Sequence, residues 1–262
     1  GTDALQQNTT GTQNVAVGSL ALDANTTADN NTTVGDQSLT ANTTGSENTA
    51  LGRAALFANT TASNNTAIGY FTLLSNTTGT QNVAVGAYAL DANTTANNNT
   101  AVGYNSLGGT TTGANNTAVG HNCLAANTTA DTNTGVGYFS LAANTTGAGN
   151  TALGKGTVRS NTTGSNNTGV GLDALNGNTT GHSNVAVGSL ALDANSTGNK
   201  NNAIGKEALS ANTTGSNNNS FGMQSLHVNT TGTDNTAIGH GALGSNTTAS
   251  NNTAVGSSAL VA

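Results

Sequence analysis

The chain has no proline, no tryptophan, one cysteine, one methionine and only eight aromatic residues among 262. Each shortage excludes something. The single cysteine, Cys123, cannot close an internal disulfide. Five Lys and Arg against 11 Asp and Glu give a net charge of -6, too few cations to hold a nucleic-acid polyanion. No run approaches the roughly 20 apolar residues of a membrane-spanning helix, and no signal peptide is visible at the N-terminus. Charged residues make up 6% of the chain, which argues against a disordered polyampholyte, and a hydrophobic content of 34% argues against an ordinary globule.

What is abundant is Asn, Thr and Gly, and their order recurs. From Asn8 the phrase N-T-T-(G/A)-x-x-N-(T/V)-A-(V/I/L)-G-x-x-(A/S)-L-x-(A/S/G) begins again every 17 residues and fills 8 to 262 in fifteen copies without insertion or deletion. Residues 1–7 fit the same frame as a partial repeat, with Gly1 in column 11 and Leu5 in column 15. An unbroken period of this length predicts stacked supersecondary units. We therefore expect one elongated domain over 8–262: an all-β parallel β-solenoid, or β-roll, of fifteen turns with one repeat per turn. At about 4.8 Å per stacked strand that is a rod on the order of 70 Å long. The pattern is already running at Gly1 and still running at Ala262. This raises the expectation that the repeats continue in a longer polypeptide, or that chains stack head to tail into a filament.

Comparison of the columns assigns each a role. Column 11 is Gly in every copy, which asks for positive φ or a close backbone approach. Column 10 (Val17, Val34, Leu51) and column 15 carry the aliphatic residues, and we expect both inside, on two β-like runs, T-A-V and A-L-x. Columns 9 and 14 hold only Ala, Gly, Ser, Thr or Cys. Strand alternation then places them outside, where small residues would let further copies approach and build a homo-oligomer, most plausibly three-fold. All 15 charges within the repeats fall in columns 5, 6, 12, 13 and 16, which we expect to face water.

Asn fills column 7 throughout (Asn14, Asn31, Asn48 and onward) and column 1 except at Thr110. Stacked coils would align these amides as hydrogen-bonded ladders. Column 1 also reads as an N-glycosylation acceptor, N-T-T, at Asn8, Asn25, Asn42, Asn59, Asn76, Asn93 and beyond.

The segments "NVAVG", "NTAIG", "NTALG" and "NNTAVG" resemble the S-V-A-I-G core of head repeats in the trimeric autotransporter adhesins, the YadA-like haemagglutinin-type repeats, and are similar to repeats in phage tail fibres. The resemblance runs through all fifteen copies. It implies a trimerising β-roll outside the cell, at a cell or virion surface, that binds host surfaces or matrix. The 17-residue period is longer than that family's, and its stalk, neck and membrane anchor have no counterpart in the sequence.

Chemistry is sparse. The four histidines, His121, His182, His227 and His240, occupy variable columns with no triad in view. The aspartates show no calcium-loop spacing, and no Gly-Lys-Ser/Thr follows the glycines. No catalytic residue, metal site or cofactor is expected. The uneven signal is aromatic: Tyr70, Phe71, Tyr88, Tyr104, Tyr138 and Phe139 cluster in turns 4 to 8 in columns 12 and 13. Exposed aromatics mark interaction surfaces, here for a glycan or a host-surface protein. The leading expectation is a non-catalytic structural or adhesive extracellular fibre whose partner is itself. The alternative is an ice-binding β-solenoid using the Thr ladders of columns 2 and 3, although adjacent threonines on an extended chain point to opposite faces.

Overall fold

The computed structural model describes residues 1–261; Ala262, the last residue of the fifteenth repeat, lies outside the described residues. The chain is all-β, a parallel β-solenoid with one 17-residue repeat per turn. Among the described residues it contains fifteen strands and no helix.

Two compact units are distinguished, Gly1–Thr132 and the remainder from Asn133. In the first, seven strands from β1 (Val15–Val17) to β7 (Thr117–Val119) pair in parallel, each residue opposite its counterpart 17 positions on, as in Val15 with Thr32. In the second, eight strands from β8 (Thr134–Val136) to β15 (Thr253–Val255) do the same.

Only the T-A-V run is strand; the A-L-x run lies in a turn. The reason is backbone geometry. Column 11 glycines have φ between 129 and 144°. Column 15, leucine except for Val158, has φ between 49 and 55°, and columns 6 and 13 are left-handed as well. Left-handed backbone costs a bulky residue on the order of 1–2 kcal/mol. These four positions share one compensation, visible in the third turn: the N–H groups of Glu47, Gly52, Ala54 and Leu56 donate to Asp29, Val34, Asp36 and Thr72 carbonyls at 3.1, 2.8, 2.9 and 3.0 Å. Each left-handed residue thus spends its donor on a neighbouring turn, so the coil bends tightly without orphaning backbone groups. Gly86 shows why column 11 tolerates no side chain. A Cβ there would sit 2.6 Å from the Gly103 carbonyl oxygen.

The interior differs from the expectation at two columns. Column 9 alanines (Ala50, Ala67, Ala84) and column 14 residues (Ala55, Ala89, Cys123) are fully buried with the column 15 leucines. Column 10 faces out: Val17 is 55% exposed, Val34 43% and Ile68 37%, and Leu51 is half-buried. The expectation that Val17, Val34 and Leu51 lie inside, with columns 9 and 14 outside, is therefore overturned. The coil is thin, and Leu from column 15 together with two asparagines already fills it. Gly169, in column 9, shows the tightness, because a Cβ there would lie 2.6 Å from Thr157 Cγ2 and 2.8 Å from Val158 Cγ2.

The asparagines stack as expected. In column 7 the Asn31 N–H donates to Asn14 Oδ1 at 2.9 Å and the Asn48 N–H to Asn31 Oδ1 at 3.0 Å. In column 1, Asn59 Nδ2 donates to Asn42 Oδ1 at 2.9 Å. Both ladders converge on the column 4 carbonyl: Ala62 O accepts from Asn59 Nδ2 at 3.0 Å and from Asn48 Nδ2 at 2.9 Å. A core short of apolar bulk is thereby held by hydrogen-bonded amides, whose burial would otherwise be costly.

Candidate binding surfaces

No group of three or more His, Cys, Asp or Glu side chains able to hold a metal occurs among the described residues, and no helix there is long and apolar enough to cross a membrane. Cys123 is fully buried in column 14, and burial pushes its thiol up to about 12. It is a packing residue and not a thiolate nucleophile. A cavity of about 330 Å³ in the second unit is lined by Leu243, Asn246, Thr247, Asn252 and Leu260 and holds no titratable side chain.

Charged columns are exposed at Arg53 and Asp36, which pair at 3.4 Å, and at Lys206, which pairs with Glu207 at 3.2 Å. Column 16 departs from the expectation of full exposure. Asp23 and Asp193 each keep one carboxyl oxygen buried without a partner, and burial raises the pKa of Asp91 and Asp193 above the ordinary carboxyl value.

The structure brings four of the six aromatic candidates together on the first unit. Tyr70 stacks on Phe71 with centroids 4.1 Å apart. Tyr88 meets Tyr70 and Phe71 edge-on at 5.6 and 6.0 Å, and Tyr104 meets Tyr88 at 5.8 Å. Sequence reading missed two members of this file. The Arg53 guanidinium lies 5.5 Å from the Phe71 ring and 5.9 Å from Tyr70, and His121 stacks on Tyr104 at 5.2 Å. Their column supplied the signal, since Arg53, Tyr70, Tyr104 and His121 all occupy column 12. Tyr70 is 40% and Tyr104 49% exposed. Desolvation by its neighbours raises the Tyr88 hydroxyl pKa, and the Tyr70 and Tyr104 phenols add to it. Tyr138 and Phe139 pair with each other in the second unit at 4.4 Å, with Arg159 5.0 Å from the Phe139 ring.

The acceptor asparagines turn inward. Asn25, Asn42, Asn59, Asn76 and Asn93 are fully buried, and Asn8 is half-buried. Asn76 Nδ2 donates to Asn59 Oδ1 at 3.0 Å and to Gly79 O at 2.9 Å, so both N–H bonds of the nitrogen a glycan would join are occupied. The two threonine files separate as well. Column 2 hydroxyls bond to the next turn, as Thr43 Oγ1 to Thr60 O at 3.0 Å, whereas column 3 threonines are exposed. No flat two-rank Thr array results, and the ice-binding alternative is not favoured.

A second apolar surface is the column 10 file itself. On the first unit it includes Val17, Val34, Ile68 and Val119; on the second Val136, Leu153, Ile204, Phe221, Ile238 and Val255, each at least 36% exposed. Phe221, the one aromatic residue in column 10, belongs to this outward file. Comparison with protein families, characterised proteins and solved structures gives no match to this chain.

Proposed function

We propose that the chain is a length unit of an extracellular structural or adhesive fibre, non-catalytic, that assembles laterally from copies of itself with three-fold symmetry. The observation that carries this reading is the outward column 10 file. Within each unit it presents Val, Ile, Leu or Phe in every turn, exposed or half-buried, with no polar interruption, and apolar surface of that kind marks an interface. A partner must present the same one-turn period, and a second copy of the chain does. The small residues of columns 9 and 14 are interior, so the face that a second copy meets is column 10. The resemblance to trimeric adhesin head repeats supplies the symmetry and the location outside the cell.

Sedimentation equilibrium tests it. We expect the native chain at three times its monomer mass over micromolar concentrations. The double variant Val119→Asp, Ile238→Asp should be monomeric with an unchanged β spectrum, since both residues are exposed. A native chain that stays monomeric across that range overturns the reading.

A further inference from the structure

The aromatic file on the first unit does not follow the 17-residue period that governs the core columns and the column 10 face. Columns 12 and 13 carry Ser, Asp, Leu or Gln in the first two turns, and then Arg53, Tyr70 with Phe71, Tyr88, Tyr104 and His121 in five successive turns. A contact between identical repeats would recur turn after turn, as column 10 does. A local departure fits a ligand that is not this chain.

We infer that the face running from Arg53 to His121 binds a neutral, extended, β-linked oligosaccharide. The rings stand in file with neighbouring centroids 4.1 to 6.0 Å apart, so a linear ligand lying along them meets one or two rings per turn. Aromatic faces carry negative quadrupole density, which receives the polarised axial C–H groups of a sugar ring. The Tyr70 hydroxyl, which accepts from Arg53 Nη1 at 3.4 Å, the Tyr88 and Tyr104 hydroxyls and the His121 ring supply polar edges for the sugar hydroxyls. Such a mixture of ring faces and a few polar groups is how proteins hold amphipathic ligands. Charge selects a neutral chain. The Arg53 guanidinium is balanced by Asp36 at 3.4 Å, Asp91 acts on Tyr88, and the whole chain carries -6. Single-stranded nucleic acid would also stack, but it would meet that unfavourable field.

The inference needs only the folded first unit, so a monomeric chain that binds would sink the assembly reading and leave this one standing. Cellohexaose, chitohexaose and, as the anionic contrast, a hyaluronan hexasaccharide are titrated into the full chain. Tyrosine emission is followed, because there is no tryptophan and three of the four tyrosines lie in the file. We expect saturable emission changes with at least one neutral hexasaccharide. Tyr104→Leu, which keeps apolar area without a ring face, should bind roughly tenfold more weakly, and Met223→Leu, at an exposed site of the second unit, should bind as the native chain does. Should Tyr104→Leu fail a circular-dichroism check of folding, Tyr70→Leu replaces it. The inference is overturned by no binding of either neutral chain up to about 5 mM, by undiminished affinity in the leucine variant, or by tighter binding of hyaluronan.

Discussion

Asn93 holds a buried amide oxygen with no donor. The cause is one residue 17 positions on, where Thr110 stands in place of the asparagine whose Nδ2 would reach it. On the other side Asn127 Nδ2, besides its bond to Ala130 O at 3.0 Å, meets Thr110 Oγ1 at 3.4 Å where its column-mates meet an asparagine oxygen. Thr110→Asn should restore the ladder and raise stability by about 1–2 kcal/mol, the cost of an unmet buried polar group, measured as a shift of the urea midpoint. No change would mean the interior hydrates there. Asp193 is a different defect. Burial raises its pKa first, and the neighbouring Asp173 and Glu207 charges add to it. A raised folded-state value means its contribution is fully present below the ordinary carboxyl value and is lost as pH rises through the raised one, so at neutral pH the charge is a net penalty. Asp193→Asn should therefore stabilise at pH 7, by less than about 1 kcal/mol because the carboxyl is only half buried. The advantage should shrink toward pH 3; parallel pH profiles would refute it. The asparagine ladders were legible in the sequence, because a side chain repeated at one column of a stacked coil must meet itself. The Asn93 and Asp193 defects were not, since they depend on what a neighbouring turn offers in space.

The strand is the element where sequence reading divided. Its place and its register followed from the period alone. Its orientation did not. A three-residue strand has two possible phases, and the larger aliphatic residue of T-A-V pointed to the wrong one. The interior width that decides between them is set by Leu in column 15 and by amides from columns 1 and 7, which no local pattern reveals. Left-handed backbone was half legible: Asn occurs seven times in column 6, as befits a residue that tolerates positive φ, but nothing marks leucine in column 15 for that conformation. The tight phase also makes a prediction. Gly169→Ala should cost about 1–3 kcal/mol by overpacking, since the Thr157 rotamer is held by its Oγ1 bond to Gly171 O. Thr157→Ala should recover part of that loss in a double-mutant cycle. Additive effects would show that the two side chains do not meet.

Across the whole molecule, each of the two units repeats one set of ties, and the hydrogen bonds between turns join residues about one repeat apart. Among the described residues no tie reaches across many turns, so removing an outermost turn leaves the next one bonded as before. Under tension this becomes a mechanical property. A unit pulled from its end should surrender one coil at a time, and each event should lengthen the tether by roughly 55 Å, the extended reach of 17 residues less one inter-strand spacing. The force trace would be a staircase of equal treads, and the material would dissipate work gradually where a globular domain gives way in a single rupture.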